Sequence, residues 1–131
     1  MMDVTKVQAA GPQVVAGGDA AVAVPSGQVV TLQEVIWNVP GPAGLAIRFR
    51  FLAPAIAKAG GSVDFATAAE DMAHLCQTYA LARLAEFGPQ PSQIIISLSD
   101  QPLPFGEPAP DATQFFEAYR IENDACIWEA F

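Results

Sequence analysis

Residues 64–87 carry the strongest periodic pattern of the chain, with apolar side chains recurring at helical spacing. Asp64 is suited to the N-cap position, because its carboxylate can accept a backbone N–H of the first turn. Gly88 and Pro89 form a stop signal, since proline cannot continue the helical hydrogen-bond ladder. At about 100° per residue, one narrow apolar stripe contains Phe65, Ala69, Met72, Cys76 and Tyr79. The pattern predicts a single amphipathic helix.

Two strand patterns precede this helix. Residues 29–38 are dominated by β-branched side chains, which favour a first strand. From Leu45 to Phe51 apolar and polar residues alternate, with Arg48 and Arg50 on the polar side. Such alternation is typical of an antiparallel strand that buries one face.

Three more strand patterns follow the helix. Residues 92–100 contain three consecutive isoleucines, which indicate a central strand covered on both faces. Residues 114–122 and 126–131 are predicted to form a terminal hairpin, because Asn123 and Asp124 tolerate the positive φ of a tight turn. The prolines of residues 101–112 predict a restrained surface loop before the hairpin.

These elements predict an α+β fold in the order β-β-α-β-β-β. It consists of an antiparallel sheet of about five strands with one amphipathic helix packed on one face. Residues 1–23 are rich in alanine, glycine and valine without periodicity, and are predicted to be a flexible N-terminal tail. Residues 24–131 are predicted to form a single domain, since 131 residues lie near the commonest domain size.

The composition is apolar and acidic: 52% of the residues are hydrophobic, 15% are charged, and the formal net charge is −8. A folded chain is expected from this balance. No nucleic acid is expected as a partner, because the basic residues form no cluster. No stretch is long and apolar enough for a transmembrane segment. The N-terminus lacks the basic start and apolar block of a signal peptide, so we expect any export signal to be absent from this sequence.

The two cysteines, Cys76 in the predicted helix and Cys126 in the last predicted strand, are predicted to form a disulfide. The helix could cover that strand, and two cysteines without nearby metal ligands suit an oxidising compartment. The alternative is a pair of buried free thiols, which behave as small apolar groups. A redox-active pair is not expected, because no Cys-x-x-Cys spacing occurs.

Arg48 and Arg50 project from the same side of one predicted strand. This spacing can contact a carboxylate or a phosphate, so both residues are candidates for an anion contact. The competing interpretation is cross-strand pairing with carboxylates of the terminal hairpin. The acidic excess of the chain favours that pairing, for which the candidates are Glu117, Glu122 and Glu129.

The last third of the chain is rich in aromatic residues. Phe115 and Phe116 are adjacent, so they point to opposite faces of a strand, and one ring leaves the core unless the second face is also covered. Exposed rings beside a proline-rich loop would form a partner-binding surface. The candidates for this surface are Phe105, Phe116, Trp128 and Phe131. Alternatively, residues 1–23 or 101–112 cover the second face, and both possibilities stay open.

The sequence gives no positive support for catalysis. His74 is the one histidine and lies on the exposed side of the predicted helix, whereas a zinc site needs three or four ligands. No nucleophile elbow, glycine-rich phosphate loop or dinucleotide fingerprint occurs. We therefore expect no metal and no cofactor, and the sequence favours a protein that is not an enzyme.

A set of short motifs extends from about Val24 to Phe131. They are Val24-Pro25-Ser26-Gly27, Arg48-Phe49-Arg50-Phe51, Asp71-Met72 with Leu75-Cys76, Ile96-Ser97-Leu98-x-Asp100, Phe105-Gly106, Gln114-Phe115-Phe116-Glu117-Ala118-Tyr119 and Cys126-Ile127-Trp128-Glu129. In these motifs the chain resembles an uncharacterised family of small alphaproteobacterial proteins, chiefly from Rhodobacter-like marine bacteria. Members usually begin with a signal peptide, so the resemblance implies the periplasm. It implies no activity.

The leading hypothesis is a small, disulfide-linked periplasmic protein that binds another protein, as an accessory subunit of an envelope complex. The acidic surface and the surplus aromatic residues favour it. The alternative is a small-ligand-binding protein or hydrolase-like enzyme that uses the Arg48 and Arg50 strand face, with Asp100 or Glu117 nearby. If the cysteines are not joined, a cytoplasmic structural domain is the remaining hypothesis. The sequence does not indicate the oligomeric state.

Overall fold

The computed structural model describes residues 11–41, 44–88 and 90–130. These residues contain a six-stranded sheet and one long helical segment, so the predicted α+β class is confirmed. The strands are β1 (Gln13–Ala16), β2 (Thr31–Gly41), β3 (Gly44–Leu52), β4 (Gln93–Ser99), β5 (Gln114–Glu122) and β6 (Ala125–Glu129). The helical segment, residues 65–87, comprises α1 (Phe65–His74), a π-helical stretch (Leu75–Ala80), α2 (Leu81–Arg83) and a 3₁₀ turn (Leu84–Phe87). Another 3₁₀ turn, Pro54–Ile56, precedes it.

The helical segment begins and ends at the predicted residues. The Asp64 carboxylate accepts a hydrogen bond from the Thr67 N–H at 2.9 Å, which satisfies a donor that the first turn leaves unpaired. This bond lowers the pKa of Asp64. Gly88 has a φ of 88°, a conformation that is strained for other residues, and it ends the segment. The π-helical stretch in the middle was not predicted by the sequence pattern.

All six strands form one sheet in the order of the chain, from β1 at one edge to β6 at the other. The prediction of a purely antiparallel sheet is wrong, because β3 and β4 pair in parallel and make the sheet mixed. The reason is the connection between them: residues 53–92, which include the helical segment, carry the chain back to the end of the sheet where β3 begins. A helical crossover of this kind joins parallel strands.

The prediction did not include the first strand, β1. The observed order of elements is therefore β-β-β-α-β-β-β. β1 pairs antiparallel with β2, with Gln13 opposite Trp37 and Ala16 opposite Glu34. This strand lies within residues 1–23, the segment for which the sequence predicts a flexible tail. With only 4 residues, it is too short to show a clear alternation. Residues 1–10 lie outside the described ranges, and the domain boundary at residue 24 stays a prediction.

The main core lies between the helical segment and one face of the sheet. The apolar side chains that alternate along β3 point into it, and Phe49 and Phe51 are completely buried there. The helical segment contributes Met72 and Leu75 to the same core, and its Tyr79 ring packs against both phenylalanines. The three isoleucines of β4 are all buried, as predicted for a central strand covered on both faces.

One carboxylate, Asp71 of α1, is also completely buried. Its oxygens accept hydrogen bonds from the Ser26 N–H at 3.0 Å, the Ser26 hydroxyl at 2.5 Å and the Gln28 side-chain amide at 2.8 Å. A buried charge needs such donors to offset its lost hydration. Asp71 therefore fastens the turn at residues 25–28 to the helical segment.

A disulfide joins Cys76 of the π-helical stretch to Cys126 of β6, with an S–S distance of 2.07 Å and a Cα–Cα distance of 6.2 Å. It is the bridge that the sequence predicts. Gln77, the next residue, adds two hydrogen bonds to the same edge strand region: its amide nitrogen donates to the Asp124 carbonyl at 3.2 Å, and its carbonyl accepts from the Cys126 N–H at 3.0 Å. One side-chain amide thus supplies bonds that a further strand would otherwise make.

Tyr119 of β5 is an exception to the good pairing of polar groups in the core. Its side chain is 2% exposed, and its hydroxyl has no hydrogen-bond partner within the described residues. Burial raises the pKa of Tyr119, and the negative charge of Glu117 raises it further. The fold therefore holds this phenol in its neutral form without using its donor.

Replacing Cys76 or Cys126 by alanine is expected to lower the free energy of unfolding by about 4 kcal/mol, because the bridge closes a long loop in the unfolded chain. The loop corresponds to a sequence separation of 50 residues. Urea unfolding of both single variants and of the double variant should give similar losses. Strongly unequal losses would show that the two sulfurs do not stabilise the fold as a pair.

Replacing Tyr119 by phenylalanine is expected to leave the free energy of unfolding unchanged or to raise it by about 1 kcal/mol at neutral pH, because a buried hydroxyl without a partner is removed.

At high pH, the raised pKa of Tyr119 determines how the stability of the wild-type protein changes. The unfolded chain releases the tyrosine proton near pH ~10 while the folded protein retains it, so wild-type stability falls as the pH rises above that value. Unfolding curves between about pH 9 and 11 should show a shallower fall for Tyr119→Phe, with Tyr79→Phe as the matched control. Equal slopes for wild type and Tyr119→Phe would contradict the assignment.

Candidate functional site

The second face of the sheet, turned away from the helical segment, carries polar and aromatic side chains. Alternation places Arg48 and Arg50 of β3 on this face, and Phe116 of β5 as well. No helix within the described ranges lies on it, but the loop between β4 and β5 crosses part of it. A small apolar cluster is buried there, formed by Ala46, Ile95 and Ala118 with Val39 packed against it.

Arg50 is buried, with 4% of its surface exposed. One end of its guanidinium makes an ion pair with Glu34 of β2, and the other donates to the Leu103 carbonyl at 2.9 Å. Gln33 donates to the same carbonyl at 3.0 Å. The Glu34 carboxylate and the Leu103 carbonyl both belong to this chain. Arg50 therefore fastens the loop between β4 and β5 to the sheet.

The carboxylates that the sequence offers as partners of the arginines are engaged elsewhere, and the prediction is wrong for Arg50. Glu122 contacts Arg120 at 3.1 Å, Glu129 accepts from Gln93 at 3.2 Å, and Glu117 accepts from the Trp128 indole N–H. The reason is the strand order. β2 is the neighbour of β3 on one side and β4 on the other, so the terminal hairpin does not adjoin the arginines.

Arg48 has a different environment. Its guanidinium carbon lies 5.2 Å from the centre of the Phe105 ring, and that of Arg50 lies 5.5 Å from the same ring. The Nε of Arg48 is buried and has no hydrogen-bond partner in the part of the chain that the structure describes. Burial and the nearby charge of Arg50 lower the pKa of Arg48. Among the described residues, no carboxylate forms an ion pair with it.

Two cavities adjoin Arg48. One, of about 270 Å³, lies between the two arginines and the rings of Phe105 and Phe116. Both rings are partly exposed, by 48% for Phe105 and 40% for Phe116. The other, of about 260 Å³, has mainly apolar walls and includes Val39 and Ile95. Arg48 therefore lies between two small recesses in which apolar groups could fit.

The structure does not bring all four predicted surface aromatics together. Trp128 is 57% exposed, but it lies opposite Tyr119 in the hairpin, so its side chain belongs to the helical side of the sheet. Phe131 lies outside the described residues. Phe105 and Phe116 share the second face with Arg48. The predicted aromatic surface and the predicted arginine contact thus coincide in a second-face site, which we define as Arg48, Phe105 and Phe116.

A larger cavity lies on the other side of the molecule, between the helical segment and the terminal hairpin. It is an open groove of about 650 Å³ that combines apolar side chains, among them Leu81, Leu84 and Ile121, with the polar residues Gln77, Gln90 and Asp124. Within the described ranges, no cluster of three metal-ligating side chains occurs, and no helix has the length and apolar character required to cross a membrane.

Replacing the two arginines by glutamine is expected to separate their roles. Arg50→Gln leaves Glu34 without its counter-ion and should lower the free energy of unfolding by about 3 kcal/mol. Arg48→Gln removes no ion pair of the described fold and should stay within about 1 kcal/mol of wild type. Urea unfolding of both variants provides the measurement. Equal losses of unfolding free energy in the two variants would contradict the interpretation that Arg50 is structural and Arg48 is available for binding.

Comparison with protein families finds one match. The model for a family of unknown function (DUF6497) matches residues 4–131, so the chain belongs to that family. The match begins closer to the N-terminus than the predicted resemblance did and includes β1. Comparisons with curated proteins and with solved structures found no significant match. The bacterial lineage and the signal peptide that the resemblance implies stay predictions.

Proposed function

We propose that this member of the DUF6497 family is a periplasmic protein that binds another protein through the second-face site, as an accessory subunit of an envelope complex. One observation carries the proposal: Phe105 and Phe116 line one cavity and are both exposed, on a sheet face that no helix of the described chain covers. Aromatic residues and arginine are the side chains most enriched in the energetic centres of protein interfaces.

The disulfide supports the periplasm as the compartment. Disulfides form and persist in oxidising compartments such as the bacterial periplasm and are rare in the cytosol. Cys76 and Cys126 are the only cysteines of the chain, and the fold uses both in one bridge. The cytoplasmic alternative, which needs two free thiols, is less consistent with this pairing.

The size of the cavity beside Arg48 favours a partner protein over a small ligand. Its volume of about 270 Å³ falls below the range of roughly 300–1,000 Å³ that is usual for small-molecule sites. A recess of this size accommodates one side chain of a partner. The acids named for the hydrolase-like alternative are also poorly placed, since Asp100 accepts from the Thr113 N–H at 2.9 Å in its own loop and Glu117 lies on the helical side.

Photo-crosslinking of the full chain in its host is expected to capture the same protein from positions 105 and 116. Position 65 is the matched control, because Phe65 is 49% exposed but lies at the start of α1. Mass spectrometry identifies the captured protein. Equal capture from position 65, or no capture from 105 and 116, would contradict the proposed surface.

The captured protein, once purified, allows the contribution of the rings to be measured. Phe116→Ser should weaken its binding by about 30-fold, which is the effect of losing a central aromatic side chain from an interface. Trp128→Ser serves as the control, because Trp128 is an exposed aromatic residue on the opposite side of the sheet. An unchanged Kd for Phe116→Ser, measured by calorimetry, would exclude the second-face site as the docking surface.

A further inference from the structure

We infer that the second-face site binds an acidic segment of the partner protein, with Arg48 contacting an aspartate or glutamate carboxylate and the rings of Phe105 and Phe116 holding an apolar side chain next to it. This inference rests on the proposed function and specifies the chemistry of the partner. It follows from three features of the site: its charge, its rigidity and the recesses beside it.

The charge of Arg48 is unusual in this chain. Acidic residues outnumber basic ones by 14 to 6, yet Glu34, Glu122 and Glu129 bond to other groups. Glu107 lines the same cavity as Arg48 but forms no ion pair with it among the described residues. A partly buried guanidinium without a counter-ion is unfavourable for folding, because it loses hydration without gaining a partner. Because no carboxylate of the described residues pairs with Arg48, a carboxylate supplied by another molecule would complete an ion pair in the complex.

The Phe105 ring restrains Arg48 in a way that favours contact with a carboxylate. The ring lies within cation–π distance of both guanidinium groups, so it restrains Arg48 through a favourable interaction that needs no acidic residue. A planar, restrained guanidinium loses less conformational entropy when it binds a carboxylate with two hydrogen bonds. Arg50, which the same ring contacts, already has Glu34 as its partner, so within the described part of the chain Arg48 is the guanidinium of this site that is available to a carboxylate.

The surroundings favour a carboxylate over a doubly charged phosphate. Glu107 lines the same cavity, and the net charge of −8 makes the protein repel strongly anionic ligands. The smaller recess beside Arg48 has mainly apolar walls, and the other combines the rings of Phe105 and Phe116 with polar side chains. A segment in which one acidic residue is flanked by an apolar residue fits this combination of a single cation and apolar recesses.

The test is a titration of the full, ¹⁵N-labelled chain, followed through the NMR signal of the Arg48 Nε–H group. The probe is the blocked tetrapeptide alanine-aspartate-phenylalanine-alanine, and its matched control has asparagine in place of aspartate. We expect a saturable shift with the aspartate peptide and at least tenfold weaker binding of the asparagine peptide. Arg48→Gln should abolish this preference. Arg120→Gln should retain it, because Arg120 is an exposed arginine that pairs with Glu122.

Three results would overturn the inference. They are equal binding of the two peptides, an unchanged preference in Arg48→Gln, and tighter binding of inorganic phosphate than of the aspartate peptide. A failure here is distinguishable from a failure of the proposed function. If the crosslinked partner binds wild type and Arg48→Gln equally, protein binding stands and the carboxylate contact is excluded. If the aspartate peptide is preferred but positions 105 and 116 capture no protein, the carboxylate site stands and the docking function is excluded.

Discussion

A sheet has two faces, and within the described residues this chain has one helical segment to cover them. The helical segment buries the face that contains Phe49 and Phe51. The disulfide joins it to the edge strand β6, and the Asp71 hydrogen bonds join it to the turn at residues 25–28. The other face is left to side chains and to one proline-rich loop. Its arginines, its small apolar cluster and its exposed rings are consequences of this unequal coverage.

The features that the sequence predicted well are those that depend on neighbouring residues. Asp64 caps the helix, Gly88 ends it, and Asn123 and Asp124 have the positive φ values of a tight turn, because each of these depends on a few adjacent residues. The parallel pairing of β3 and β4 depends on a crossover of about forty residues, and a period-2 pattern contains no information about it. β1 is too short for its pattern to be distinguished from a tail.

In the candidate site, too, the features set by neighbouring residues were predictable and those set by the strand order were not. Alternation along β3 was sufficient to place Arg48 and Arg50 away from the core, whereas the pairing of Arg50 with Glu34 required the strand order. Phe105 lies in a loop, where no periodicity predicts the direction of a side chain. The side of Trp128 could have been predicted: a two-residue turn sets the hairpin register, and Cys126, two residues earlier, was already expected to face the helix.

The hydrogen bonds of Gln77 have a consequence for self-association. Sheets join edge to edge when both strands have free backbone groups, and a chain with two such edges can add copies without limit, as in a filament. At the β6 edge, the Gln77 amide occupies the Cys126 N–H and the Asp124 carbonyl. A strand from another molecule that paired along β6 beside the turn would have to displace these two bonds, so this part of the edge resists such pairing.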